Sequence, residues 1–227
     1  MAEVRLVETS LRDGNQCLWS ALGIDTARTL SIAPVMDRVG FKAIDFTTST
    51  HMGVAVRYKR ECPWERIRLM AAATPNTPLQ FMGTGFRFIS WETASPEFMS
   101  LAYRVLANHG IRRFCLADPM NDAAANVANA RLVKQAGGEF VIAALVFTLS
   151  PIHDDAHYAA AARTLAACPD IDALYIKDPG GLLSQKRATT LIPAIQAAIH
   201  AAGVNKPLEL HSHNTIGLAE HTYLDAP

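Results

Sequence analysis

Short apolar runs alternate with longer segments of helical periodicity along the 227 residues of the chain. Continuous apolar runs are typical of strands in a parallel sheet that is covered on both faces. The alternation therefore predicts an α/β protein in which helical crossovers join successive strands. The predicted strands are residues 4–8, 42–46, 79–83, 112–117, 139–147, 173–177 and 208–212.

Two architectures fit this alternation, a doubly wound sheet and a (β/α)8 TIM barrel. A dinucleotide-binding sheet has G-x-G-x-x-G after its first strand, whereas the first turn here is SLRDGNQ. Polar residues recur instead just after several strands, where barrel enzymes place their chemistry. We therefore predict that residues 1–227 form a single TIM-barrel domain. We expect this barrel to be truncated after the seventh strand and incomplete at its C-terminus.

The spacing of apolar residues predicts helices between these strands. A helix from Asp25 to about Arg38 has four apolar residues at i, i+3, i+4 and i+7, the spacing of one helix face. We expect a long loop before Pro63, which suits a first helical turn. We also expect the chain to end about twelve residues into the helix after the last strand. The four residues that form the apolar face of the predicted helix at 25–38 are Ile32, Val35, Met36 and Val39.

Composition and charge exclude several classes of protein. Half of the residues are apolar, only 19% are charged, and the formal net charge is zero. A neutral chain offers no basic surface for nucleic acid. No apolar run approaches the roughly 20 residues of a membrane span. The N-terminus also has no signal-peptide pattern. We expect a cytoplasmic protein that binds neither nucleic acid nor membrane.

The segment LELHSHNT places two histidines one residue apart at the end of a strand. Alternate strand residues point to the same face, so His211 and His213 share one face and Ser212 takes the other. Two imidazoles on one face suggest a divalent metal, with Asp13 after the first strand as a carboxylate ligand. The alternatives are a hydrogen-bonded histidine pair at a strand end and an aspartate that caps a loop.

Lys177 ends the sixth strand and is an unusual neighbour for a metal, because its ammonium group repels a cation and has no lone pair. Burial could keep the amine neutral, or CO2 could convert it to an anionic carbamate. The ordinary alternative is a surface charge or a salt bridge. Gly180 and Gly181, which follow in KDPGG, indicate a tight turn first and a backbone anion site second.

Several motifs resemble, in order, the carboxyltransferase-domain branch of the metal-dependent TIM-barrel lyases. That branch includes the pyruvate carboxylase carboxyltransferase domain, the oxaloacetate decarboxylase alpha subunit and the transcarboxylase 5S subunit. Hydroxymethylglutaryl-CoA lyase and isopropylmalate synthase are more distant relatives that lack the Lys of IKD. The motifs are VETSLRDGNQ, ECPWERIRLM, NTPLQFM, FCLADPMND, LVFTLSPIHDDAHY, YIKDPGGLL and LHSHNTIG.

The resemblance implies a barrel enzyme with zinc, manganese or cobalt, and a carboxyltransferase or decarboxylase activity on a 2-oxo acid through an enolate. It implies Asp13, carbamylated Lys177, His211 and His213 as metal ligands. It also implies that Arg12 and Gln16 act with Lys177 in catalysis and line the substrate pocket. Biotin on a carrier protein or domain is the implied partner, and we expect a homo-oligomer.

The chain departs from the motifs at substrate contacts. Asn15 stands where the family has a histidine, and Thr84 stands where an arginine grips the substrate carboxylate. Arg87 could take over that contact or could be an ordinary loop charge. These departures leave two alternatives open. One is an aldolase or Claisen-type acyl-CoA lyase or synthase, with an unmodified Lys177, and the other is a catalytically reduced assembly subunit.

Overall fold

A computed structural model describes residues 4–88 and 92–224, and its strands confirm the predicted α/β alternation. The observed ends differ from the predicted ends by at most two residues except in the first strand. That strand spans only Val7–Glu8, and Val4 and Leu6 before it are exposed. The strands are β1 (Val7–Glu8), β2 (Ala43–Thr48), β3 (Leu79–Thr84), β4 (Ile111–Ala117), β5 (Phe140–Val146), β6 (Ala173–Asp178) and β7 (Leu208–Ser212).

Helices follow every strand in the described residues, including short helices at Asn15–Trp19 and Ser49–Val54 that we did not predict. The predicted long loop before Pro63 is largely helical, since a short α-helix at Ser49–Val54 and a π-helical turn at Ala55–Lys59 lie within it. The last helix begins only at Ala219, after a turn in which Gly217 has φ of 79°. The helices are α1 (Asn15–Trp19), α2 (Thr26–Val39), α3 (Ser49–Val54), α4 (Pro63–Ala73), α5 (Pro96–Asn108), α6 (Ala123–Gln135), α7 (Asp155–Ala167), α8 (Gln185–Ala201) and α9 (Ala219–Leu224).

The apolar face predicted for α2 is wrong for three of its four residues. Ile32, Val35 and Val39 are 43%, 57% and 59% exposed, and only Met36 is buried. The buried face of α2 instead includes Thr29 and Ala33. Thr29 is fully buried, and its hydroxyl is satisfied there because it donates to the Asp25 carbonyl and accepts a hydrogen bond from Arg66 of α4. A paired hydroxyl and a small alanine allow close helix packing that the apolar spacing alone does not predict.

The chain divides into two compact units. Unit 1 is Met1–Cys115 with Leu132–Phe140, and unit 2 is Leu116–Arg131 with Val141–Pro227. In unit 1, β2 pairs in parallel with β1 and with β3, and its register with β3 shifts between Asp45 and Thr47. This shift is a local irregularity at the end of β2 that bears the polar residues.

Unit 2 contains three parallel strands, with β6 between β5 and β7. The register between β6 and β7 is unbroken, and it pairs Lys177 with His211 and Asp178 with Ser212. Helices α7 and α8 pack together beside this sheet, and Leu165, Leu191 and Ile195 are buried. The unbroken register fixes which side chains meet at the carboxyl ends of these strands.

No helix among the described residues is both long enough and apolar enough to cross a membrane. The longest of them, α8, has 17 residues and includes Lys186, Arg187 and Pro193.

Candidate active site

A buried arginine organises the carboxyl end of β1 and β2 in unit 1. Arg12 is 3% exposed, and its Nε and Nη2 atoms donate to Oδ2 of Asp45 at 2.7 and 2.5 Å. Its Nη1 donates to Oδ1 of Asp13 at 2.7 Å. One buried cation therefore bridges the carboxylates of two elements, and these charge-assisted bonds fix the plane of the guanidinium group.

The local backbone explains why Arg12 and Asp13 both point inward. Residues Ser10–Gly14 form a π-helical turn in which the amides of Asp13 and Gly14 both donate to the Thr9 carbonyl, at 2.8 and 3.1 Å. Such short π-helical segments are frequent at functional sites. Asp45 lies in the middle of β2, where every residue is buried, so its charge requires a partner such as Arg12.

Several buried acceptor atoms around this cluster have no hydrogen-bond partner within residues 4–88 and 92–224. They are Oε2 of Glu8, Oε1 of Gln16 and Oδ1 of Asp45. Buried polar atoms are normally satisfied, so such a group of acceptors indicates that a ligand, water or ion completes the site. Gln16, which the motifs imply as a substrate residue, is half-buried on α1.

Asn15, which stands where the family motif has a histidine, makes two hydrogen bonds to the backbone that follows it. It is fully buried, and its side chain bonds the Ala21 carbonyl at 3.4 Å and the Ile24 amide at 3.2 Å. These bonds fix the segment between α1 and α2, where Ser20 and Ala21 have positive φ. Asn15 therefore stabilises the loop that leads from α1 into α2.

The two histidines predicted as neighbours lie side by side at the end of β7 in unit 2. Their ring centroids are 5.1 Å apart with an angle of 65° between the planes. Lys177 is the register partner of His211 on β6, and all three side chains are half-buried. Ser212 takes the other face, where its hydroxyl donates to Oδ2 of Asp178 at 2.8 Å. The predicted alternation of faces is confirmed.

Asp178, which the sequence did not mark as a site residue, fixes the segment that bears the histidines. It is fully buried, accepts from the amides of Leu182 and Leu183 at 3.0 and 2.8 Å, and accepts from Ser212. Its carbonyl accepts from the His213 amide at 3.0 Å. One residue therefore holds both the turn after β6 and the end of β7.

Gly181 lies directly against the backbone of His213, which confirms the tight turn predicted for KDPGG. Its φ is +66°, and a Cβ atom there would lie 2.4 Å from the His213 carbonyl oxygen. A residue with a side chain would be strained at this φ and would also displace His213.

Gly181→Ala should therefore lower the free energy of unfolding by several kcal/mol. Gly203→Ala is the matched control, because Gly203 has φ of +77° and a Cβ atom added there would have nothing within 4 Å. Gly203→Ala should lower the free energy of unfolding by only about 1 kcal/mol, because only the backbone strain contributes there. Urea unfolding of both variants tests this, and equal losses of stability would contradict the contact with His213.

Thr84 and Arg87 lie in unit 1 at the carboxyl end of β3. Thr84 is the last residue of the strand and Arg87 follows in the next loop, and both are half-buried. The end of β3 is adjacent to the end of β2, because Thr48 pairs in register with Met82. Their roles in substrate binding stay predictions.

His51 is a buried residue of unit 1 that the sequence reasoning missed. It is 5% exposed on α3, and neither ring nitrogen has a hydrogen-bond partner in the described part of the chain. Burial, with a smaller contribution from the cations of Arg12, Arg66 and Lys59, lowers the pKa of His51 from 6.5 to about 3. A polar stretch directly after an apolar strand, TTSTH, was the available signal.

The low pKa of His51 predicts a loss of stability in acid. Below its ordinary pKa of 6.5 the unfolded chain binds a proton at His51 that the folded chain rejects until about pH 3. Stability therefore falls as the pH drops through this window, by about 3 kcal/mol between about pH 7 and pH 4. His51→Leu should flatten that dependence in urea unfolding series. An unchanged slope in the variant would contradict the assignment.

Comparisons with known proteins agree with the motifs. No protein-family model matches the chain. A pyruvate carboxylase subunit of Methanocaldococcus jannaschii is 31% identical over 221 residues, which is 97% of this chain and 38% of that protein. The 2-oxoglutarate carboxylase large subunit of Hydrogenobacter thermophilus is 29% identical over 217 residues, 96% of this chain and 32% of that protein. The chain therefore spans less than half the length of these two relatives.

A solved structure, the carboxyl transferase domain of Rhizobium etli pyruvate carboxylase with oxamate and biotin, matches with a TM-score of 0.90. It is 24% identical, and the match covers 99% of this chain and 38% of that one. The predicted TIM-barrel fold, through its seventh strand, is thereby confirmed. The chain is a homologue of these carboxylase subunits and has the fold of a pyruvate carboxylase carboxyltransferase domain.

Proposed function

We propose that this chain is a metal-dependent carboxyltransferase or decarboxylase that acts on a 2-oxo acid through its enolate. The observation that supports this most is the group of Lys177, His211 and His213 at the carboxyl ends of β6 and β7. The names of the relatives, a pyruvate carboxylase and a 2-oxoglutarate carboxylase, indicate the substrate class.

The side chains at this edge suit a divalent ion. Two imidazoles suit zinc or cobalt, and the carboxylate that Asp13 would supply also suits manganese. Lys177 would join as a carbamate: its neutral amine adds to the carbon of CO2, a C–N bond forms, and the amine proton goes to solvent. A divalent ion held by these residues would supply Lewis-acid polarisation of a substrate oxygen, which favours an enolate.

The protein's own residues would hold the substrate and stabilise developing charge. Arg12, with its guanidinium plane fixed by Asp45 and Asp13, would face the enolate oxygen as a preorganised cation. The side-chain amide of Gln16 would donate to the substrate beside it. Biotin on a carrier domain or partner subunit would exchange the carboxyl group with the 2-oxo acid.

We also propose that the chain forms a homo-oligomer. Light scattering of the purified chain tests this proposal.

Oxaloacetate decarboxylation by the purified chain, with its metal content measured in parallel, tests the proposed function. We expect pyruvate to form in step with bound zinc, manganese or cobalt. Cleavage of an acyl-CoA substrate without oxaloacetate turnover would favour the aldolase or Claisen-type alternative. A chain with neither metal nor turnover would favour an assembly subunit.

Thr84→Arg tests whether the departure at the end of β3 changes substrate preference. An arginine there can bind a carboxylate in bidentate fashion, which threonine cannot. We expect oxaloacetate decarboxylation at low substrate concentration to rise on the order of tenfold. Thr164→Arg, at an exposed position of α7, is the control and should leave the rate unchanged. An unchanged rate in Thr84→Arg would count against altered specificity.

A further inference from the structure

His51 is a buried imidazole that the proposed chemistry above does not use. A neutral imidazole has one N–H donor and one acceptor nitrogen, and both ring nitrogens of His51 are buried. Neither bonds to any residue within the described ranges. A purely apolar contact would be made better by leucine or methionine, so the two nitrogens indicate a ligand.

The backbone places His51 beside the residues already described in unit 1. It lies in the first turn of α3, directly after β2, the strand whose Asp45 binds Arg12. The positive charge of Arg12 contributes to the lowered pKa of the His51 ring. His51 therefore belongs to the same end of the sheet as the buried Arg12 cluster.

The register of β2 and β3 brings His51 and Thr84 to the same edge of the sheet. Thr48 pairs with Met82, His51 lies three residues beyond Thr48, and Thr84 lies two residues beyond Met82. Thr84 offers a hydroxyl group and no charge. Arg12 is already bonded to two carboxylates. A substrate carboxylate at this edge would therefore gain from a donor in addition to the candidate Arg87.

We propose that His51 is a substrate-binding residue whose ring N–H donates a hydrogen bond to the carboxylate of the bound 2-oxo acid, next to the hydroxyl of Thr84. The inference rests on the proposed function, since it assumes that a 2-oxo acid contacts the residues around Arg12. A neutral donor of this kind holds a carboxylate without adding a further buried cation beside Arg12 and Arg66. The low pKa of His51 agrees with a neutral ring.

Binding of oxamate to the full chain tests this inference. We expect His51→Leu to weaken oxamate binding at least about tenfold in calorimetry, and His51→Gln to recover part of the loss because its amide keeps a donor. His109→Leu is the control, because His109 lies in the same unit and its Nδ1 already contacts the Val105 carbonyl at 2.7 Å. Thermal unfolding shows whether each variant is folded.

Nitrogen NMR of the histidine rings separates a direct contact from an indirect effect. The His51 resonances, identified by their absence in His51→Leu, should shift when oxamate is added to the wild-type chain. Wild-type binding that leaves these resonances unmoved, or undiminished affinity in folded His51→Leu, would overturn the inference while the proposed function stands. Absence of oxamate binding in the wild type would overturn both.

Discussion

Replacing Arg12 with methionine should lower the free energy of unfolding by about 3–5 kcal/mol and abolish turnover. Arg12 is buried and bonds Asp45 and Asp13, and Asp45 is itself 1% exposed. Methionine fills similar volume but leaves two carboxylates without their shared cation. Removal of one partner of a buried ion pair costs far more than the pair contributes, because the remaining charge is uncompensated.

The matched control for this prediction is an exposed ion pair on α4. Arg68 donates to Glu65 one turn away, and their side chains are 57% and 48% exposed. Solvent screens such a pair, so Arg68→Met should leave stability unchanged within error. The double variant Arg12→Met with Asp45→Asn should be less destabilised than the sum of its single variants, because the two side chains interact directly. Additive effects in urea unfolding would show that the Arg12–Asp45 bond is not the cause.

Lys177→Ala should abolish divalent metal binding and reduce turnover to background, a loss of at least about 100-fold. Alanine removes the amine that would form the carbamate, while His211 and His213 alone would hold a metal weakly. The stability of unit 2 should change little, because Lys177 is half-buried at the end of β6. Metal analysis and oxaloacetate decarboxylation are the two readouts.

Lys186→Ala, at an exposed position of α8, is the control for loss of a lysine in the same unit. It should retain full metal content and turnover. Native mass spectrometry of the wild-type chain should also show one added CO2 that Lys177→Ala lacks. Full activity in Lys177→Ala would rule out the carbamate.

The sequence was sufficient to predict the strands of this fold and the neighbourhood of the two histidines. Apolar runs determine where buried strands lie, and the two-residue period of a strand places His211 and His213 together. The pairing of Lys177 with His211 follows from where β6 and β7 end. These predictions depend on local rules that tertiary packing does not override.

Other features depend on partners that are distant in the sequence. The buried face of α2 follows from the bond between Arg66 and Thr29, which no periodicity reveals. The π-helical turn at Ser10–Gly14 carries Arg12, whose buried partner Asp45 is 33 residues away. His51 was missed because its significance lies in the burial of both nitrogens, and burial of a single polar residue cannot be read from spacing.

The most direct test of metal-dependent turnover measures oxaloacetate decarboxylation and metal content in one preparation of the purified chain, before and after chelation. We predict about one divalent ion per chain, loss of turnover when the ion is removed, and recovery when zinc, manganese or cobalt is restored. Turnover that persists in the chelated, metal-free chain would contradict this prediction.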